Sequence, residues 1–123
     1  GMVPFNVTLD PDASGRLAAR RTTSGVLHAE EHAATRAVAT LFEQAGLPLR
    51  RVSDIASVQL GKLLLNLNNP VNALSGLPLR EELMDRDYRR VLALLQDEAL
   101  AAMKAAGIRP GKVGAAPPRL IPA

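Results

Sequence analysis

The chain has 123 residues, 47% of them apolar, which is enough for one domain with a buried core. Only 2% of the residues are aromatic and none is cysteine, which excludes a disulfide framework, a thiolate metal site and a cysteine nucleophile. The net charge is +3, but the sequence has no basic stripe with interleaved aromatic residues, the pattern typical of nucleic-acid binding. We find no signal peptide or apolar membrane span in the sequence. We therefore expect a cytoplasmic protein with neither a nucleic-acid nor a membrane partner.

Strands are predicted for residues 1–32. In the stretch VPFNVTL, apolar residues alternate with polar ones, as in a half-buried strand. The cluster DPDASG at 10–15 predicts a turn, and RLAARRTTSGVLHAE predicts a second extended run. Two or three strands do not form a stable sheet alone, so we expect these to need a partner, either a further segment or a second copy.

Helices are predicted for residues 33–108, which makes the chain an α+β protein. A short amphipathic helix begins near Ala33 and ends at Gly46, and residues 47–53 form an extended link. A second helix is expected from about Ile55 to Asn69, Gly76 closes the segment, and LPL at 77–79 is expected to be a connector.

The longest helix is predicted in DRDYRRVLALLQDEALAAMKAAG, with Asp85 or Asp87 as its N-cap and Gly107 at its C-terminal end. Its expected apolar stripe consists of Tyr88, Val91, Leu92, Leu95, Ala99, Ala102, Met103 and Ala106. The tail, residues 109–123, is rich in proline and glycine and is expected to be irregular.

The segment GKLLLNLNNPVNALSG at 61–76 combines leucines with one lysine and four asparagines. On a helical projection Asn66 and Asn69 fall within about 40° of Lys62, while the leucines spread over the opposite side. An ammonium flanked by amides, without a carboxylate, can hold a carbonyl or carboxylate ligand and stabilise a developing oxyanion. Pro70 predicts a kink or a helix end near Asn69, and Asn72 can then turn to the same side.

A second interpretation of the same segment is purely structural. A lysine on the polar face of a helix is commonly just solvated, and asparagines near a proline are commonly caps and turn residues. The spacing alone does not decide which of Asn68, Asn69 and Asn72 joins Lys62 and Asn66.

The same segment resembles the start of the helical domain of ketopantoate reductases (2-dehydropantoate 2-reductases). GMVPFNV at 1–7, TTSGVLHAE at 22–30 and DIASVQLGK at 54–62 resemble segments just upstream in that family, and LLQDEALAAMKAAGI at 94–108 resembles its next long helix. The resemblance implies the terminal strands of a dinucleotide-binding domain followed by a helical domain of the 6-phosphogluconate dehydrogenase C-terminal type.

The resemblance also implies an activity, the NADPH-dependent reduction of ketopantoate to pantoate on the route to pantothenate and coenzyme A. Lys62 would be the general acid and would stabilise the substrate carbonyl. Asn66 would hydrogen-bond the substrate. One of Asn68, Asn69 and Asn72 would supply the family's second asparagine, and Glu98 matches a glutamate of the later helix.

The glycine fingerprint G-x-G-x-x-G of a dinucleotide site is absent from the sequence. By resemblance the cofactor domain lies upstream, so we expect a middle piece that is inactive alone and pairs with the missing domain or with a second copy as a homodimer. The alternative is a non-catalytic helical module for dimerisation or interaction. His28 and His32 have the spacing of metal ligands on a helix, but His28 lies in a predicted strand, so we expect no metal site.

Overall fold

The computed structural model describes residues 1–112, and the chain divides into two compact units, Gly1–Ile55 and Ala56 onward. The expected α+β class is confirmed, with strands first and a mainly helical part after them. The boundary expected after residue 32 lies inside the first unit, which contains a helix and a further strand beyond that point. Among residues 1–112, no helix is both long enough and apolar enough to cross a membrane.

The first unit begins with an antiparallel hairpin. Strands β1 (Val7–Pro11) and β2 (Leu17–Arg21) pair in register, and the predicted turn cluster joins them. Within the turn, the Asp12 carboxylate accepts hydrogen bonds from the hydroxyl and backbone N–H of Ser14 and from the backbone N–H of Arg16. These bonds, led by that of the Ser14 hydroxyl, hold the pKa of Asp12 below its usual value.

Both faces of the hairpin are exposed in the structure. The register places Val7, Leu9 and Leu17 on one face, and these side chains are 50%, 63% and 72% exposed. On the other face Arg20 forms a salt bridge of 3.3 Å with Asp10. An isolated hairpin is marginally stable in water, so the need of these strands for a further partner stays a prediction, and this apolar face is where such a partner would pack.

A parallel β-α-β motif completes the first unit. Strand β3 (Leu27–Glu30) pairs in parallel with β4 (Leu49–Val52), and helix α1 (Ala33–Gln44) connects them. The sequence predicted only an extended link where β4 forms. Because β4 hydrogen-bonds to β3, the connecting helix α1 is part of the same unit as these strands.

Local sequence signals fix both ends of α1. The His32 Nδ1 accepts a hydrogen bond from the Ala34 N–H, which caps the N-terminus. At the other end Gly46, with φ of 72°, donates to the Glu43 carbonyl, and the Leu47 N–H donates to the Phe42 carbonyl. This is a Schellman ending, as the glycine predicted.

The second unit is helical. Its elements are α2 (Ile55–Asn66), α3 (Asn68–Ser75), α4 (Leu79–Met84) and α5 (Arg86–Ala105). Residues 109–112 have no regular secondary structure, and the rest of the expected irregular tail lies outside the described residues. The Gly111 N–H donates to the Ser57 carbonyl at 2.7 Å, which fixes this segment beside the start of α2.

Two expectations for this unit are corrected. The helix that begins at Ile55 ends at Asn66, earlier than expected, and Pro70 lies inside the first turn of α3. Proline is tolerated there because N–H groups of a first turn have no acceptor within the helix. The connector predicted at 77–79 overlaps α4, which begins at Leu79 and has Glu81 and Glu82 in its first turn, a favourable charge at a helix N-terminus.

Helix α5 has the predicted caps. The Asp85 carboxylate accepts from the Asp87 N–H at 2.7 Å, and the Ile108 N–H reaches the Met103 carbonyl beyond Gly107. The buried face is rotated relative to the predicted stripe: it contains Leu92, Ala93, Gln96 and Met103, whereas Val91, Ala102 and Ala106 are exposed. The described core of the unit consists of Leu64, Val71, Glu82, Leu92, Ala93, Gln96 and Met103.

Candidate functional site

Lys62 and Asn66 lie one turn apart on α2, so both project from the same side of the helix. Lys62 is half-buried and Asn66 is exposed, while Leu64, between them in sequence, is fully buried on the other side. The predicted division of α2 into a leucine side and a lysine–asparagine side is therefore present. One leucine differs from expectation, because Leu63 is 47% exposed.

Among residues 1–112, the Lys62 ammonium has no carboxylate within salt-bridge distance, and the Asn66 amide has no hydrogen-bond partner. A positive charge and an amide with both donor and acceptor capacity therefore lie one helical turn apart, and neither is bound by a described side chain. Within the described residues, this pair can receive an anion or a polarised carbonyl without first breaking a side-chain contact.

The other asparagines point to different partners. The Asn68 Nδ2 donates to the Glu82 Oε2 at 3.3 Å, and the Asn72 Nδ2 donates to the Leu77 carbonyl at 3.0 Å. Asn69 is exposed. The structure thus brings Lys62 and Asn66 together, whereas Asn68 and Asn72 serve contacts within the helical unit.

Glu98 lies on α5 and is exposed. Its position is compatible with a solvated helix carboxylate, and the structure gives it no contact with the Lys62 side of α2.

Sequence reasoning missed two buried polar residues of the second unit, Gln96 and Glu82, which are 0% and 1% exposed. The Gln96 Nε2 donates to the Leu64 carbonyl at 3.3 Å. A signal for Gln96 exists in the sequence, because it lies four residues after Leu92 and three before Ala99, on the side of the apolar stripe. Glu82 stands beside Glu81 in a segment for which no element was predicted, and no pattern in the sequence indicates its burial.

The first unit contains a cleft of about 320 Å³ beside α1 and β4, with Glu31 and Arg51 in its lining. The Glu31 carboxylate forms salt bridges with Arg36 and Arg51, the latter at 3.1 Å. These charges neutralise one another, so the cleft carries little chemistry of its own.

The two histidines lie on different elements. His28 is part of β3, and its backbone pairs with Met2, whereas the His32 side chain caps α1. Within the described part of the chain, no group of three or more histidine, cysteine, aspartate or glutamate side chains could hold a metal ion.

The described β-α-β motif does not fit NADPH. A dinucleotide site presents glycines and free N–H groups to the pyrophosphate at the strand-to-helix turn. Here that turn consists of Glu31 and His32 in place of glycines, and the His32 side chain already accepts from the Ala34 N–H in the first helical turn.

Comparison with models of known protein families, with curated protein sequences and with solved structures found no significant match to this chain.

Proposed function

We propose that the lysine–asparagine side of α2 binds a small 2-keto acid, and that the chain is part of an NADPH-dependent reductase converting ketopantoate to pantoate. The cofactor-binding domain would be supplied separately. The observation that carries the proposal is the pairing of a half-buried Lys62 with Asn66 one turn later, without a neutralising carboxylate among residues 1–112. The segments that resemble ketopantoate reductases, in order along the chain, support the same substrate.

The proposed roles follow from the chemistry of a keto acid. Reduction at a keto carbon develops negative charge on its oxygen. An ammonium group held beside that oxygen stabilises the charge and can supply the proton that completes the alcohol. We assign this role to Lys62.

Asn66 would orient the substrate. Its amide offers two N–H donors and one carbonyl acceptor, so it can bind the substrate carboxylate or a hydroxyl group. Asn69 and Glu98, both exposed, remain candidates for further substrate contacts, and Asn72 would contribute only after releasing the Leu77 carbonyl.

The binding step can be tested on the chain itself. The sequence contains three lysines, Lys62, Lys104 and Lys112, so isotope-labelled dimethylation of the lysines gives a small set of NMR signals. We expect ketopantoate to shift the Lys62 signal in a saturable manner and to leave the Lys104 signal unchanged. Equal, non-saturating responses of both lysines would show a general salt effect and contradict the proposal.

A second function, that of a non-catalytic helical interaction module, is favoured by apolar side chains on the surface of the second unit. Leu74, Met84 and Leu94 are 90%, 73% and 69% exposed, on three different helices. Light scattering distinguishes this function: a dimer that Leu94→Glu converts to monomer supports it, whereas a wild-type monomer at all concentrations contradicts it.

A further inference from the structure

The last turn of α2 is tied to α5 by a buried side chain. The Gln96 Nε2 donates to the Leu64 carbonyl at 3.3 Å, across 32 residues of sequence. Both residues are 0% exposed, so water does not compete for this bond. The contact therefore joins two helices through a group that is fully removed from solvent.

The end of α2 explains why a donor is needed there. The helix ends at Asn66, and the Leu67 N–H still donates to the Leu63 carbonyl. Carbonyls in the last turn of a helix lose their intrahelical N–H partners, and a buried carbonyl without a donor is destabilising. Gln96 supplies that donor from α5.

The start of the following helix is held in a similar way. Asn68, the first residue of α3, donates to the buried carboxylate of Glu82 on α4. Two side-chain hydrogen bonds, one on each side of Leu67, thus fix the junction between α2 and α3. This junction, residues 64–68, begins two residues after Lys62 and includes Asn66.

We propose that Gln96 is a positioning residue for the Lys62–Asn66 pair. Leu64 lies midway between these two residues, so holding its carbonyl fixes the rotation and tilt of the turn that presents them. The ligand part of this inference rests on the proposed function, whereas the fixing of the junction does not.

Simple filling of the core does not account for a glutamine at this position. The Gln96 Oε1 is buried and has no hydrogen-bond partner within the described residues, which is energetically unfavourable. Replacing both partners of a buried hydrogen bond by apolar groups can be neutral or stabilising, whereas removing only the donor leaves the buried Leu64 carbonyl unpaired. A donor aimed at one backbone carbonyl gives the glutamine a role that an apolar side chain lacks.

The first experiment uses the wild-type chain. We expect the side-chain amide protons of Gln96 to exchange with solvent at least about 100-fold more slowly than those of exposed Gln44, because the buried bond must open before exchange. Equal exchange rates at the two glutamines would overturn the inference. This measurement does not depend on the folding of any variant.

The second experiment compares Gln96→Met with Met103→Leu, a volume-conserving change on the same buried face of α5. In Gln96→Met we expect the backbone N–H of Leu67 to exchange up to about tenfold faster than in Met103→Leu, which is the range for loss of one hydrogen bond. We also expect a loss of ketopantoate affinity of similar size, read from the Lys62 signal, with the affinity of Met103→Leu unchanged.

The outcomes distinguish a failure of the proposed ketopantoate binding from a failure of the proposed role of Gln96. If the wild-type chain does not bind ketopantoate, the proposed function fails, and the exchange of Leu67 alone decides whether Gln96 fixes the junction. If the wild type binds and Gln96→Met binds equally well, Gln96 is not a positioning residue. Unchanged exchange at Leu67 in Gln96→Met would also overturn the inference.

Discussion

Replacing two adjacent leucines of α2 by alanine tests the orientation of the helix that carries the candidate site. Leu64 is 0% exposed and Leu63 is 47% exposed. Truncating a fully buried leucine removes its transfer free energy and leaves a cavity, so Leu64→Ala is expected to lower the free energy of unfolding by about 2–5 kcal/mol. At Leu63 only about half of the side chain is removed from water, and the expected loss is about 1 kcal/mol.

Urea unfolding followed by far-UV circular dichroism measures both losses, provided that the transitions remain two-state. The two variants have the same composition and differ only in which side of α2 is cut back. Equal losses, or a larger loss at Leu63, would mean that α2 is rotated about its axis. Lys62 and Asn66 would then not lie on the solvent-facing side, and the proposed binding surface would fail with them.

Two further outcomes test local structure in each unit. Asp85→Ala removes the N-cap of α5, and we expect it to lower the free energy of unfolding by about 1 kcal/mol in the same urea assay; no change would contradict the cap. In the hairpin turn, hydrogen bonds from Ser14 and Arg16 lower the pKa of Asp12 below 3.8, its value in the unfolded chain. The ionised Asp12 carboxylate therefore stabilises the fold above pH 3.8, and this stabilisation is lost as the pH falls through the lower pKa of the folded state. We expect the N–H signals of Ser14 and Arg16 to keep their turn shifts down to that pH, and a transition at or above 3.8 would contradict the lowered value.

The parts of the fold that the sequence predicted are those fixed by local chemistry. Glycines that accept a positive φ marked the ends of α1 and α5, and an aspartate marked the start of α5. The cluster DPDASG marked the hairpin turn, because its aspartate bonds the backbone N–H groups that follow. In each case the residue itself supplies the stabilising contact.

The parts that the sequence missed depend on contacts between distant segments. Strand β4 exists because it pairs with β3 across the intervening helix, and its short sequence LRRV carries no alternation. The burial of Gln96 depends on a carbonyl at the end of another helix, which a helical projection of α5 does not contain. Glu82 is buried and its carboxylate accepts a hydrogen bond from Asn68 on another helix, a contact that the local sequence of α4 does not indicate.

The sequence predicted only those features of the candidate site that depend on a single helix. Lys62 and Asn66 share one helix, so their common side follows from spacing alone. The fates of Asn68 and Asn72 do not, because each amide is bound by a group outside its own helix, the Glu82 carboxylate and the Leu77 carbonyl.

The central claim is that the Lys62 ammonium carries chemistry on a 2-keto acid. The most direct test mixes this chain with a separately produced cofactor-binding domain of a ketopantoate reductase and measures NADPH oxidation with ketopantoate. We expect the mixture to be active and Lys62→Ala to abolish the activity. The control variant Lys104→Ala, which changes an exposed lysine in the last turn of α5, should leave the activity intact. Restored activity that is the same with Lys62→Ala as with the wild-type chain would contradict the account.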